Sequence, residues 1–424
     1  MYLIRIKELF GRRQDDERIR VGSRKTMQSA LYLGLEPFLR GGKRFMQIRE
    51  RDDEGAAVGE ESQEFLTTQL ITYLGNKRAL LAFIGEGLEI VKRRLNKGRV
   101  TSFDVFSGSG IVSRFLKKYS EHLVVNDLEG YSEIINRCYL TNRFEFDQEL
   151  FDHWFAHLSS HLEGELVADG FINELYAPKQ MGAIGAGERC FFTPRNARYL
   201  DTALPLIQEM PEELHPFFIA PLLSEASIHA NTAGVFKGFY KNRHTGLGQF
   251  GGTNQDALAR ILGDITIQRP VLSRFDSVVE IFRCDANAIV GDVEEVDVAY
   301  IDPPYNQHPY GSNYFMLNLI AQYRRPEETS VVSGIPKDWN RSPYNKPHAA
   351  HAALQELIET IKAKFLLISF NSEGFIRLEE MLSLLSSVGK TQVLETTYNT
   401  FRGSRNLANR NIHVKEYLYL VEKF

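Results

Sequence analysis

The chain has 424 residues, 43% hydrophobic and 25% charged, which is ample for one large or two medium domains and excludes a mainly disordered protein. Lys and Arg number 50 against 54 Asp and Glu, a formal charge of −4, so a polyanionic partner would have to be held by local basic patches. Three cysteines, Cys138, Cys190 and Cys284, form no CxxC pair, which argues against a disulfide framework or a cysteine zinc site and points to a reducing cytoplasm. No apolar run approaches the roughly 18 residues that cross a bilayer, and the N-terminus lacks an apolar signal core, so a soluble protein is expected.

Residues 1–64 alternate basic and acidic clusters around a short apolar piece and read as a partly helical extension with an acidic linker. From Gln69 onward strand and helix patterns alternate, which suits a parallel α/β sheet. The strands are expected at Val100–Phe106, Leu123–Asp127, Val278–Asp285, Val296–Asp302, Phe365–Phe370, Thr391–Tyr398 and His413–Val421. Helical spacing covers Gly110–Lys118, Tyr131–Tyr139, Asn313–Tyr323, Ala349–Ala363 and Gly374–Ser387. About 150 residues separate Asp127 from Val278, several times a crossover helix. A largely helical subdomain inserted at about 141–277, into a body formed by 65–140 and 278–424, is the economical reading.

Three motifs carry chemistry. Asp104-Val-Phe106-Ser-Gly108-Ser-Gly110 ends a strand and opens a helix, where glycines let backbone N–H groups approach a nucleotide-like ligand. A tight turn with no ligand would look the same in isolation. Ser113 stands where the dinucleotide fingerprint has its third glycine, which disfavours a pyrophosphate. Asn126-Asp127 closes the next strand, where a carboxylate can accept from both hydroxyls of a ribose or can simply cap the following helix. Asp302-Pro303-Pro304-Tyr305 follows the apolar strand VDVAYI. Two prolines stiffen the turn and remove two amide donors, so an acid, free carbonyls and an aromatic ring together form a receptor for a planar exocyclic amine.

DPPY downstream of an FxGxG loop resembles the S-adenosylmethionine-dependent amino-methyltransferases that act on DNA, in particular the Dam-like adenine methylases and the modification enzymes of restriction systems. Tyr73-Leu-Gly75-Asn76-Lys77 resembles that family's N-terminal cofactor motif, and the order of motifs is that of its alpha group. The resemblance covers about residues 69–424 and is weakest in the insert. It implies a class I methyltransferase sheet of Rossmann-like form, mostly parallel with a C-terminal antiparallel hairpin, and an inserted target-recognition subdomain. It further implies S-adenosylmethionine as donor with no metal required. Tyr73, Gly75, Asn76, Lys77, Asp104, Phe106, Gly108, Gly110, Asp127 and Asp285 would hold the cofactor. Lys77 would lie near its methionine end, the two loop glycines beneath it and Asp285 near its adenine. Asp302, Pro303, Pro304 and Tyr305 would be catalytic.

The expected activity is transfer of methyl to the N6 amine of a flipped-out adenine in duplex DNA, in a monomer that protects host DNA from a cognate restriction endonuclease. The same chemistry on cytosine N4 or on RNA is the nearest alternative; by the resemblance, Asp at position 302 favours adenine, and the long insert favours duplex DNA. A non-catalytic binding module would not need Asp302, Tyr305, Asp127 and Lys77 together, and a dehydrogenase leaves DPPY unexplained.

Two acid-free stretches are candidate DNA contacts. Lys237, Tyr240, Lys241 and Arg243 lie among glycines in the insert with Phe236 and Phe239, whose rings either fill the gap left by an extruded base or plug the core. Arg402, Arg405 and Arg410 lie near the C-terminus. Neutralising Lys241 and Arg243 together is expected to weaken DNA binding and flatten its salt dependence in a titration; an unchanged slope would remove this loop from the footprint.

Overall fold

The computed structural model describes residues 60–252, 255–399 and 413–424. Seven strands form one sheet: β1 (Val100–Asp104), β2 (Ser120–Asp127), β3 (Val278–Arg283), β4 (Val296–Ile301), β5 (Ala363–Asn371), β6 (Gly389–Asn399) and β7 (His413–Lys423). Their order is β3-β2-β1-β4-β5-β7-β6. The first five are mutually parallel, whereas β7 runs antiparallel to both β5 and β6. Strand order reverses between β1 and β4, and in open α/β sheets ligands bind in the crevice at the carboxyl ends of the strands flanking such a switch. All seven expected strands are present, with ends shifted by a few residues.

The helices flank the sheet in chain order. They are α1 (Gln63–Thr67), α2 (Leu81–Leu95), α3 (Ile111–Lys117) and α4 (Gly130–Tyr139), then α5 (Gln148–Leu162), α6 (Phe171–Tyr176), α7 (Pro194–Gln208), α8 (His215–His229) and α9 (Leu258–Leu262) of the long interval. After β3 come α10 (Ala286–Ile289), α11 (Tyr310–Asn313), α12 (Phe315–Gln322), α13 (Pro347–Thr360) and α14 (Leu378–Ser386). Alternation along β5 decides the layering. Phe365 and Leu367 face Ile84, Leu88 and Val91 of α2, while Leu366 and Ile368 face Leu354 and Leu357 of α13. No helix among the described residues is long and apolar enough to cross a membrane.

The helix expected over Asn313–Tyr323 is present as α12, Phe315–Gln322, with the short α11 just ahead of it. Tyr314 breaks the pattern at φ −121°, and its hydroxyl accepts the Leu74 N–H at 2.7 Å, tying this segment to the chain before β1. The interval between β2 and β3 is largely helical but does not bury its core alone. Phe151, Leu200, Phe218 and Leu222 share one cluster with Tyr131 and Ile135 of α4 and with Phe315, Leu317 and Ile320 of α12. The body is packed from Glu61 onward: this buried carboxylate accepts from the Ser273 hydroxyl and the Arg274 N–H.

Ile320 is fully buried where α12 meets the long interval. Ile320→Ala is expected to cost about 2–5 kcal/mol in urea unfolding, in a single transition if the two parts share one core as packed here.

Candidate active site

A cleft opens at the C-terminal ends of β1 and β4. Four separated stretches build its walls: Tyr73–Lys77, Phe106–Val112, Asp127–Glu129 and the turn after β4, with Asn340, Ser342 and Asn345 closing one side.

The glycine loop is held by the carboxylate that ends β2. Gly108 N–H donates to Asp127 Oδ2 at 2.7 Å, and Glu129 N–H donates to the other oxygen at 2.9 Å. Gly108 has φ +55°, and a Cβ there would lie 2.8 Å from the Tyr73 ring, so both the turn and the ring's approach require glycine. Tyr73 stacks on Tyr310 and on Tyr314 at centroid distances of 4.9 Å each. Burial raises the Asp127 pKa against its backbone donors. Burial also pushes Glu129 up to about 7, against the amides of Asn318 and Asn340 that donate to it.

Across the cleft, Asp302 and Tyr305 follow β4. Asp302 Oδ1 lies 3.1 Å from Lys77 Nζ, which lies 3.0 Å from Glu416 Oε1 on β7. Lys77 and Glu416 are buried and Asp302 is partly open to the cleft. Burial pushes the Asp302 carboxyl up to about 6, Lys77 pulls it down and Glu416 pushes it up again. For Lys77 burial works against the charge, yet the two carboxylates outweigh it and hold the ammonium well above its usual pKa. The Tyr305 ring packs edge-on to Phe370 and lies 5.6 Å from Lys77 Nζ.

Of the residues expected at a cofactor site, Tyr73, Gly75, Asn76, Lys77, Phe106, Gly108 and Asp127 line the cleft. Three do not. Asp104 is buried beneath the loop, accepts from the Ser113 hydroxyl and is pushed by burial up to about 7. Ser113 thus has a task of its own under the loop. Gly110 faces α4, where a Cβ would sit 3.1 Å from Ile135 and Asn136, so close helix packing demands it. Asp285 caps α10, accepting from the Asn287 N–H at 3.0 Å. Lys77 pairs with both Asp302 and Glu416 at the edge of the cleft. Among the expected catalytic residues Asp302, Pro304 and Tyr305 line the cleft, with Pro303 between them in the turn.

In the insert, Lys237, Lys241 and Arg243 are exposed and Tyr240 is half-buried. Lys241 pairs across a bridge with Gly248, and the Asn242 side chain caps the turn between them. Phe236 is buried and Phe239 packs edge-on to Phe191 at 5.2 Å, so both rings plug the core. Arg402, Arg405 and Arg410 lie outside the described residues.

Glu129, Tyr310, Asn340 and Glu416 belong to the site without standing in any of its sequence motifs. A glutamate two positions after a strand-end Asp was a usable signal for Glu129; Glu416 had none, being one polar position in an alternating strand.

The cleft suits a nucleoside-bearing ligand. A carboxylate pair, Asp127 and Glu129, lies at its β2 end beside Gly108 and Ser109 of the glycine loop. A cleft at the switch point of a Rossmann-like sheet, with an Asp-Pro-Pro-Tyr turn on its rim, is the arrangement that the resemblance to amino-methyltransferases implies. The model of the D12 class N6 adenine-specific DNA methyltransferases matches residues 73–172 and 229–384, and the chain belongs to that family. It is 26% identical to the type II methyltransferase M.NlaIII of Neisseria lactamica over 363 residues, 83% of this chain and 99% of that one. Identity to M.CviAII of Paramecium bursaria Chlorella virus 1 is 28%, over 83% of this chain and 98% of that one. M.FokI of Planomicrobium okeanokoites is 26% identical, over 83% of this chain and 52% of its own.

Gly108→Ala, at a positive φ with the Tyr73 ring against the new methyl, is expected to cost about 1–3 kcal/mol of stability, measured by urea unfolding. An unchanged midpoint would mean that Tyr73 does not rest on the loop.

Proposed function

We propose that this adenine-specific DNA methyltransferase takes its methyl group from S-adenosylmethionine in the cleft and receives, at Asp302, an adenine extruded from duplex DNA. The observation that carries the reading is that Asp302, partly open, shares one cleft with the glycine loop and Asp127. Asp127 would take ribose hydroxyls, and Tyr73 and Phe106 would flank the ligand. When bound, S-adenosylmethionine supplies an activated sulfonium methyl.

The remaining tasks belong to the chain. The lone pair of the adenine N6 amine is delocalised into the ring, so the amine is a weak nucleophile. Hydrogen bonds from its two protons to Asp302 and the Pro303 carbonyl localise that pair on nitrogen. Positioning of well-oriented reactants is worth up to about 7–11 kcal/mol. Extrusion of the base costs a few kcal/mol, and stacking on Tyr305 offsets part of it. Lys237, Lys241 and Arg243 would meet phosphates, and Tyr240 would lie beside them.

Relatives named as type II methyltransferases and modification methylases support a protective role beside a cognate endonuclease. We assign the working unit as a monomer, with domains at 65–140 and 278–424 for catalysis and 141–277 for target recognition.

Asp302→Ala is expected to retain S-adenosylmethionine binding by calorimetry and to lose methyl transfer by about 100-fold or more in a radiolabelled methyl assay. Activity of the unaltered protein should fall as pH drops through about 6, where Asp302 takes up a proton. Near-normal turnover of the variant would overturn the role given to this carboxylate.

A further inference from the structure

Glu416 lies outside the motifs discussed so far. It sits on β7, opposite Asn371 of β5 and Thr396 of β6, more than a hundred residues after Asp302. It is almost wholly buried. Oε1 accepts from the Ser369 hydroxyl at 2.7 Å and lies 3.0 Å from Lys77 Nζ. Oε2 is buried with no hydrogen-bond partner among the described residues. One ammonium therefore serves two carboxylates, and neither is fully neutralised.

We propose that Glu416 is a positioning residue for methyl transfer: by taking a share of Lys77, it leaves Asp302 with uncompensated negative charge facing the amine. The inference rests on the role of Asp302 given above. In the reaction N6 forms a bond to the methyl carbon as the carbon–sulfur bond breaks. The bonding pair stays on sulfur, and the N6 nitrogen is left cationic until it gives up a proton to Asp302 and thence to water. A carboxylate tied fully to Lys77 would be a poor acceptor for the amine and a poor counter-charge for that cation. Glu416 draws Lys77 toward β7, with Ser369 fixing its carboxylate, so the ammonium anchors the turn without saturating it.

Other groups face Asp302 as well. The Tyr300 and Tyr310 phenols and the buried carboxyl of Asp104 lie near it from β4, α11 and β1, with Tyr305 adjoining Lys77. None of these carries a second full charge onto Lys77 as Glu416 does.

The test compares Glu416→Gln, Glu416→Asp and Asp302→Asn as full chains. Glu416→Gln keeps the shape and removes the charge. It is expected to lower kcat by about tenfold, to leave KM for DNA within about twofold, and to move the acid limb of the kcat profile to lower pH. In cofactor-free protein labelled with carboxyl-13C aspartate, the resonance absent from Asp302→Asn should titrate at lower pH in Glu416→Gln. Glu416→Asp retains the charge and should restore the acid limb and the titration, even if it is less stable. An acid limb and a titration unmoved by Glu416→Gln would overturn the proposal, as would an unchanged kcat. If Asp302→Asn loses transfer while Glu416→Gln behaves normally, only this inference fails. If Asp302→Asn retains transfer, the reading of Asp302 fails and takes this one with it.

Discussion

One ammonium group joins the parts of this molecule that the chain sets farthest apart. Lys77 comes from the segment before β1, Asp302 from the turn after β4 and Glu416 from the last strand, and each carboxylate lies within 3.1 Å of the Lys77 ammonium. That meeting requires β7 to lie beside β5 and therefore requires the antiparallel insertion of the final strand between β5 and β6. It also requires the Tyr73–Lys77 segment to cross above the glycine loop. Tyr314 and Tyr310 secure that crossing through hydrogen bonds with the backbone of Leu74.

The cleft is rimmed by rigid supports. Asp127 holds the glycine loop through the Gly108 N–H while its other oxygen accepts from the Glu129 N–H, and Glu129 gathers Asn318 of α12 and Asn340 of the following loop. The inserted helices contribute through α12, which shares their core while its N-terminal neighbour α11 lines the cleft. A change in the long interval can thus reach the site through packing, without any residue of the insert touching the reacting atoms.

Much of this was legible in the sequence because the signals are local. Short β-branched strands, the FxGxG loop and the DPPY turn each declare themselves within seven residues, and the strands they predicted are present. What escaped was long-range or depended on side-chain direction. Asp285 and Gly110 carry the right residue types at the right places, but the first caps α10 and the second makes room for α4. Phe236 and Phe239 sit in a basic, glycine-rich stretch, yet aromatic rings there gain more from Phe191 than from water. Glu416 was invisible for a different reason: in a strand of period two, a polar residue reads as solvent-facing, and its charged partner Lys77 lies more than three hundred residues earlier in the chain.

Stability does not account for the Lys77 cluster. Removing charges from water costs several kcal/mol per ion, and apolar replacements of buried pairs are often neutral or stabilising. Two carboxylates on one ammonium are worse still, since the like charges repel and Glu416 Oε2 has no hydrogen bond among the described residues to offset its burial. Most of the sheet's buried positions are Val, Leu, Ile and Phe. The unfavourable arrangement occurs where Asp302 opens to the cleft, so its cost falls at the one place where a charged acceptor is useful and a neutral pair would not be.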